Sequence, residues 1–166
     1  MPRVQKVLTQ ADPEVTLSPN AAGALSSIVK VAVPRGLAMV FPGRFPLVLK
    51  LKDSDGAELP DDSRIYFGIK KPGQPDFVHW FSARVLYEPW GNLTLAQQRN
   101  SEWEEAVTLD MQIPFLALVE EEELHIGVVS SSVAATAQVH FAIPYVERAA
   151  GEVGEELALR VQWIGV

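Results

Sequence analysis

The chain has 166 residues, enough for one domain with a sizeable core, and 48% of them are hydrophobic. Its formal net charge of −7 argues against nucleic acid as a partner, because phosphate recognition needs a basic surface. It has no cysteine, which excludes a disulfide framework and any thiolate metal site.

Residues 1–27 read as an N-terminal arm. They carry Pro2, Pro13 and Pro19 and the small-residue stretch Asn20–Ala24, with room for one short strand near Val4–Leu8. The arm either docks on a neighbouring molecule, through cations such as Arg3 and Lys6, or is an unstructured tail. No long apolar run follows Met1–Lys6, so no secretory signal is expected.

From Ile28 onward the apolar side chains alternate with period two, the pattern of half-buried strands. Strands are predicted over 28–34, 37–41, 46–53, 64–70, 77–87, 106–113, 123–130, 137–146 and 157–164. Turns are expected at Pro34-Arg35-Gly36, Pro42-Gly43, Asp53–Gly56, Pro60–Ser63, Lys71-Pro72-Gly73 and Gly151–Gly154, since Gly and Pro supply the special φ values. Leu49, Phe67, Leu109, Phe141 and Val161 are assigned inward, and Trp163 to the core. The one long interruption, 88–105, has room for a short helix capped by Asn92. The uncharged run 124–146 contains Pro144 and several polar residues, so it reads as two strands and a loop, not as a membrane span. The expected fold is all-β, a single jelly-roll or β-sandwich barrel of about eight strands, with the arm at 1–27 and one barrel domain at 28–166.

Candidate chemistry is sparse. His79, His125 and His140 are too far apart in sequence for a metal motif, so no metal ligands are assigned. There is no nucleophile elbow and no phosphate-binding glycine loop. No catalytic residue, cofactor or small-molecule substrate is therefore expected. Glu120–Glu123 reads as a solvated turn or as a contact for basic groups of a partner. Charge is unevenly placed: residues 1–98 hold 11 Lys/Arg against 9 Asp/Glu, whereas 99–166 hold 3 against 12. Opposed charge of this kind can steer association between copies. In the 77–87 strand both faces are partly apolar, which a solvent-facing strand does not tolerate. Trp80, Arg84, Leu86, Trp90 and Trp103 are therefore candidate contact residues, aromatics and arginine being enriched in interface hot spots.

An arm, about eight short strands, one elaborated loop and opposed halves of charge together resemble a single jelly-roll capsid protein. More narrowly, the chain is similar to the small major capsid protein of tailless, icosahedral, membrane-containing phages of thermophilic bacteria. Three asparagines and twelve prolines fit a hot host. The resemblance implies a virion location after synthesis in the host cytoplasm. It also implies a homo-oligomer tiling a shell with a second capsid protein, near an internal membrane. Two other readings are a soluble β-sandwich binding carbohydrate on Trp80, Trp90 or Trp103, and a cupin-like metalloenzyme.

Overall fold

The computed structural model describes residues 4–11, 15–16, 26–53, 64–74, 77–86, 102–129 and 135–166. Among these residues ten strands and one helix follow in chain order: β1 (Val4–Ala11), β2 (Val15–Thr16), β3 (Ser26–Ala32), β4 (Leu37–Asp53), β5 (Arg64–Lys70), β6 (His79–Ser82), β7 (Arg84–Leu86), β8 (Glu102–Leu118), β9 (Glu123–Val129), β10 (Ala135–Ala149) and α1 (Gly154–Ile164). They build two antiparallel sheets. Sheet 1 runs β1-β10-β4-β8-β7, with β2 also on β10; sheet 2 runs β3-β9-β5-β6. The protein is an all-β sandwich, as the alternation predicts. None of the described helices is long and apolar enough to cross a membrane.

One core lies between the sheets. Phe41, Phe45 and Leu47 of β4, Leu109 and Leu116 of β8 and Ile143 of β10 pack from sheet 1. Val31 of β3, Ile65, Phe67 and Ile69 of β5 and Leu124 and Ile126 of β9 pack from sheet 2. Each strand sends alternate residues inward because its side chains point to opposite faces. The side chains of Leu49 and Phe141 lie outside the described set.

Three sequence expectations change in detail. The predicted 77–87 strand is two: β6 pairs with β5, β7 pairs with β8, and the break at Ala83 carries the chain from sheet 2 to sheet 1. The predicted Pro42-Gly43 turn is instead a bulge inside the continuous strand β4. Pro42 pairs with Phe115 and Arg44 with Asp110, so Gly43 alone opposes the four residues 111–114 of β8. A proline is tolerated there because a bulge leaves ladder positions unpaired. The bulge also re-phases β8, whose buried residues pass from Met111 and Ile113 to Leu116 and Leu118.

The third change is a correction. Residues 157–164 are not a strand but most of helix α1. Val161 and Trp163, assigned to the interior, are 56% and 54% exposed. The inward residues are Val153, Leu157, Arg160 and Ile164, spaced four, three and four, which is the period of a helix. Glu155 and Glu156 sit in the first turn, favourable to the helix dipole, and Gly165 ends the helix in the left-handed conformation at φ 80°. The helix lies on the outer face of sheet 1, where Ala38 and Ala117 are small enough to let Val153 and Leu157 pack close.

The Asn92-capped helix, the 53–56 and 60–63 turns around Asp55 and Asp61, and most of the 88–105 loop fall outside the described residues. The first segment does contribute a strand, β1, longer than expected and paired with β10 from Val4↔Glu147 to Ala11↔His140.

Candidate assembly surface

The acidic run Glu120–Glu123 occupies the β8–β9 turn, and each carboxylate is engaged within the chain. Glu120 accepts the Gly36 backbone N–H at 2.6 Å. Glu121 takes Arg35 at 2.8 Å. Glu122 is buried and takes Arg160 of α1 in a two-pronged pair, at 2.8 and 3.0 Å. Glu123 takes Lys70 at 3.0 Å. Partial burial acts to raise the Glu123 pKa, but the Lys70 hydrogen bond and charge, helped by His125 and Lys30, hold it below the usual value. The turn is thus a clamp joining the β3–β4 connection, β5 and α1.

Trp80 lies on the outer face of sheet 2. Across that sheet Lys30, His125, Gly68 and Trp80 fall in one row. Gly68 makes room for the indole: a Cβ there would stand 2.8 Å from Trp80 and 2.5 Å from Val78. Trp80 crosses Gly68 and meets His125 edge to face, with ring centroids 6.1 Å apart. The indole is half-buried in this contact, so the chain itself covers part of the second apolar face noted in the sequence.

His125 is 2% exposed. Its Nδ1 shares a 2.8 Å hydrogen bond with the Ser27 hydroxyl, and its Nε2 has no hydrogen-bond partner. Glu123 is 3.9 Å from Nε2. Burial is the main cause that pushes the His125 pKa below 6.5; Glu123 opposes it, and Lys30 and Lys70 add to it. The folded state therefore takes up this proton less readily than the unfolded chain, which binds it as pH falls through the ordinary histidine range. The unfolded state then binds more protons, so stability drops as pH falls below about 6.5. Urea midpoints measured at pH 7.5 and 5.5 should differ, and His125→Gln should shrink the difference. Equal pH dependence in the two proteins would refute this assignment.

The remaining candidates are dispersed. Arg84, on edge strand β7, is exposed. Lys6 stands opposite Tyr145 on edge strand β1, Leu86 opposite Thr108, and Trp103 opposite Leu51; the side chains of these three lie outside the described set. Arg3 and Trp90 lie outside it altogether. Among the described residues no group of three or more His, Asp or Glu could hold a metal ion.

Two features were missed by the strand reading of the C-terminus. An open groove of about 550 Å³ follows the β4–β8 bulge, and Arg44, Arg84, Asp110, Pro114 and Trp163 are among its walls. Asp110 is buried at its floor, accepting the Gln112 N–H at 2.8 Å and lying 3.4 Å from Arg44. This carboxylate supports Gln112 at φ 60° and so holds the bulge open. Beside it, Val161 and Trp163 of α1 face solvent; with Phe77 they are the large exposed hydrophobics of the described structure.

The described surface thus presents Phe77, Val161, Trp163 and Arg84 to solvent on a two-sheet sandwich. Residues 27–138, two thirds of the chain, match the family described as major capsid protein VP16-like, and the chain belongs to that family. It is accordingly a structural protein of a virion capsid. The match spans β3 to β9 and the first residues of β10; β1 and α1 lie outside it. No curated protein shows a significant match.

Proposed function

We propose that this chain is a jelly-roll shell subunit that associates with copies of itself and with a second capsid protein. The observation that carries the reading is the family match across the strands that form the two-sheet core. The strand order supports the jelly roll. With β1 first, the chain passes from sheet 1 to sheet 2 and back as it runs through β3 and β4. It then turns once within sheet 2 at β5–β6 and returns through β7–β8, β9 and β10. Eight strands in two facing four-stranded sheets in this order make two nested Greek keys. The other two strands are additions: β7, three residues, at the edge, and β2, two residues, on β10.

In this reading two of the four edge strands, β6 and β7, are short, four and three residues, which limits uncontrolled strand addition there, whereas the edges β1 and β3 run to eight and seven residues. Specific contacts then come from side chains, with Arg84 and the 1–27 segment among them, and need no catalytic group, cofactor or nucleic acid. A closed shell adds many modest contacts. A phage of a thermophilic host, with an internal membrane beneath the shell, is the setting we favour, on the resemblance and on the composition. Sedimentation velocity and electron microscopy of the purified protein test the central claim. Concentration-dependent dimers, rings or sheets are expected. A strict monomer at every concentration, alone and with the other proteins of the same virion, would overturn it.

A further inference from the structure

We infer that the outward face of α1, with the groove beside its C-terminal end, is a two-fold contact between copies of this chain. The inference rests on the self-association proposed above and names the surface that mediates it. On the helical wheel the arc opposite Arg160 carries Glu155, Ala158 and Gln162, with Val161 beyond it on one side and, past the half-buried Leu159, Trp163 on the other. Ala158 near the middle lets a partner backbone approach closely, and the two flanking side chains supply apolar area that the chain leaves in water.

Charge selects the occupant and its direction. At the C-terminal end of α1, Trp163 shares the groove with Arg44 and Arg84. Arg84 is exposed and, among the described residues, has no ion-pair partner. At the N-terminal end, Glu152 and Glu155 are exposed. A second copy with its α1 antiparallel to the first sets each acidic end against the other's Arg84, the cation left over once Asp110 is paired with Arg44, twice over. Such self-complementarity is what a two-fold contact requires. The same acidic end disfavours an anionic lipid surface as the occupant.

Three variants of the full chain test this by sedimentation equilibrium: Trp163→Glu, Arg84→Glu, and Arg84→Glu combined with Glu155→Arg. All three positions are at or near the surface, and circular dichroism with a urea midpoint checks that each still folds. Trp163→Glu and Arg84→Glu should each weaken self-association at least roughly tenfold, as loss of a hot-spot residue does. The double variant should recover most of the Arg84→Glu loss. If the natural protein associates and folded variants associate equally well, α1 is not the contact, while self-association stands. If the natural protein never associates, the parent reading fails as well. Flotation of the natural protein with phosphatidylserine vesicles, lost in Trp163→Glu, would assign the face to lipid and overturn the two-fold pairing.

Discussion

Arg160→Ala is expected to destabilise the protein by about 3–5 kcal/mol, the cost of leaving one partner of a buried ion pair unpaired. Arg160 and Glu122 are 5% and 2% exposed. The guanidinium does more than meet the carboxylate. Its Nη1 also donates to the Ala117 carbonyl at 2.9 Å, and its Nε donates to the Val166 carbonyl at 2.8 Å. Removing it strands a carboxylate and leaves two carbonyls short of donors. It also releases α1 from the β8–β9 turn, leaving the helix to its small apolar contact and to the Arg148–Glu156 ion pair from β10. For a chain of this size each kcal/mol is about 2–4 °C, so the thermal midpoint should fall by roughly 6–20 °C. Converting both residues to methionine should cost less than Arg160→Ala alone, because no bare charge remains. Some cost persists, since Glu122 also accepts the Val119 N–H at 2.9 Å. A thermal midpoint unchanged in Arg160→Ala would show that the pair contributes nothing.

Gly43→Ala should be comparably damaging, at about 4 kcal/mol or more, or should prevent folding outright. A Cβ at this position would lie 1.7 Å from the Ile113 carbonyl oxygen and 2.9 Å from its carbon. The obstacle is backbone, held in place by the bulge and by the Asp110 carboxylate under Gln112, so no side-chain rotation relieves it. The bulge itself would have to open. Gly36→Ala is the informative control. Gly36 has φ 82° and open space around its Cβ position, so only the left-handed conformation is penalised, at roughly 1–2 kcal/mol. Chemical denaturation of the two variants separates a steric collision from a backbone preference. Equal costs would mean that the β4–β8 bulge yields more easily than its packing indicates.

Much of the fold was readable along the chain because its strands bury one face. Ile65, Phe67 and Ile69 alternate, all three are buried, and the 64–70 strand has the predicted bounds. The same rule misled at the C-terminus. Leu157, Leu159, Val161 and Trp163 also alternate, yet Glu155-Glu156-Leu157-Ala158-Leu159-Arg160 are mostly good helix formers and Gly165 is a helix stop. The helical period was present but hidden, because one of its four inward positions is an arginine that no hydrophobic count includes. Its partner, Glu122, was equally hidden within a run of four glutamates. Of the candidate contact residues, Arg84 is exposed, whereas Trp80 lies partly against its own sheet, over Gly68, a placement set by a glycine on another strand.

The amino-acid order alone determined that this protein is a β-sandwich, since period-two burial is a local property that each strand declares for itself. Which glutamate is buried, which glycine is crowded and which aromatic is left in solvent were decided only in three dimensions. These depend on what another strand or helix, far away in the chain, brings alongside. Ala117 and Arg160 meet across 43 positions, and Gly43 and Ile113 across a bulge whose register no single segment encodes.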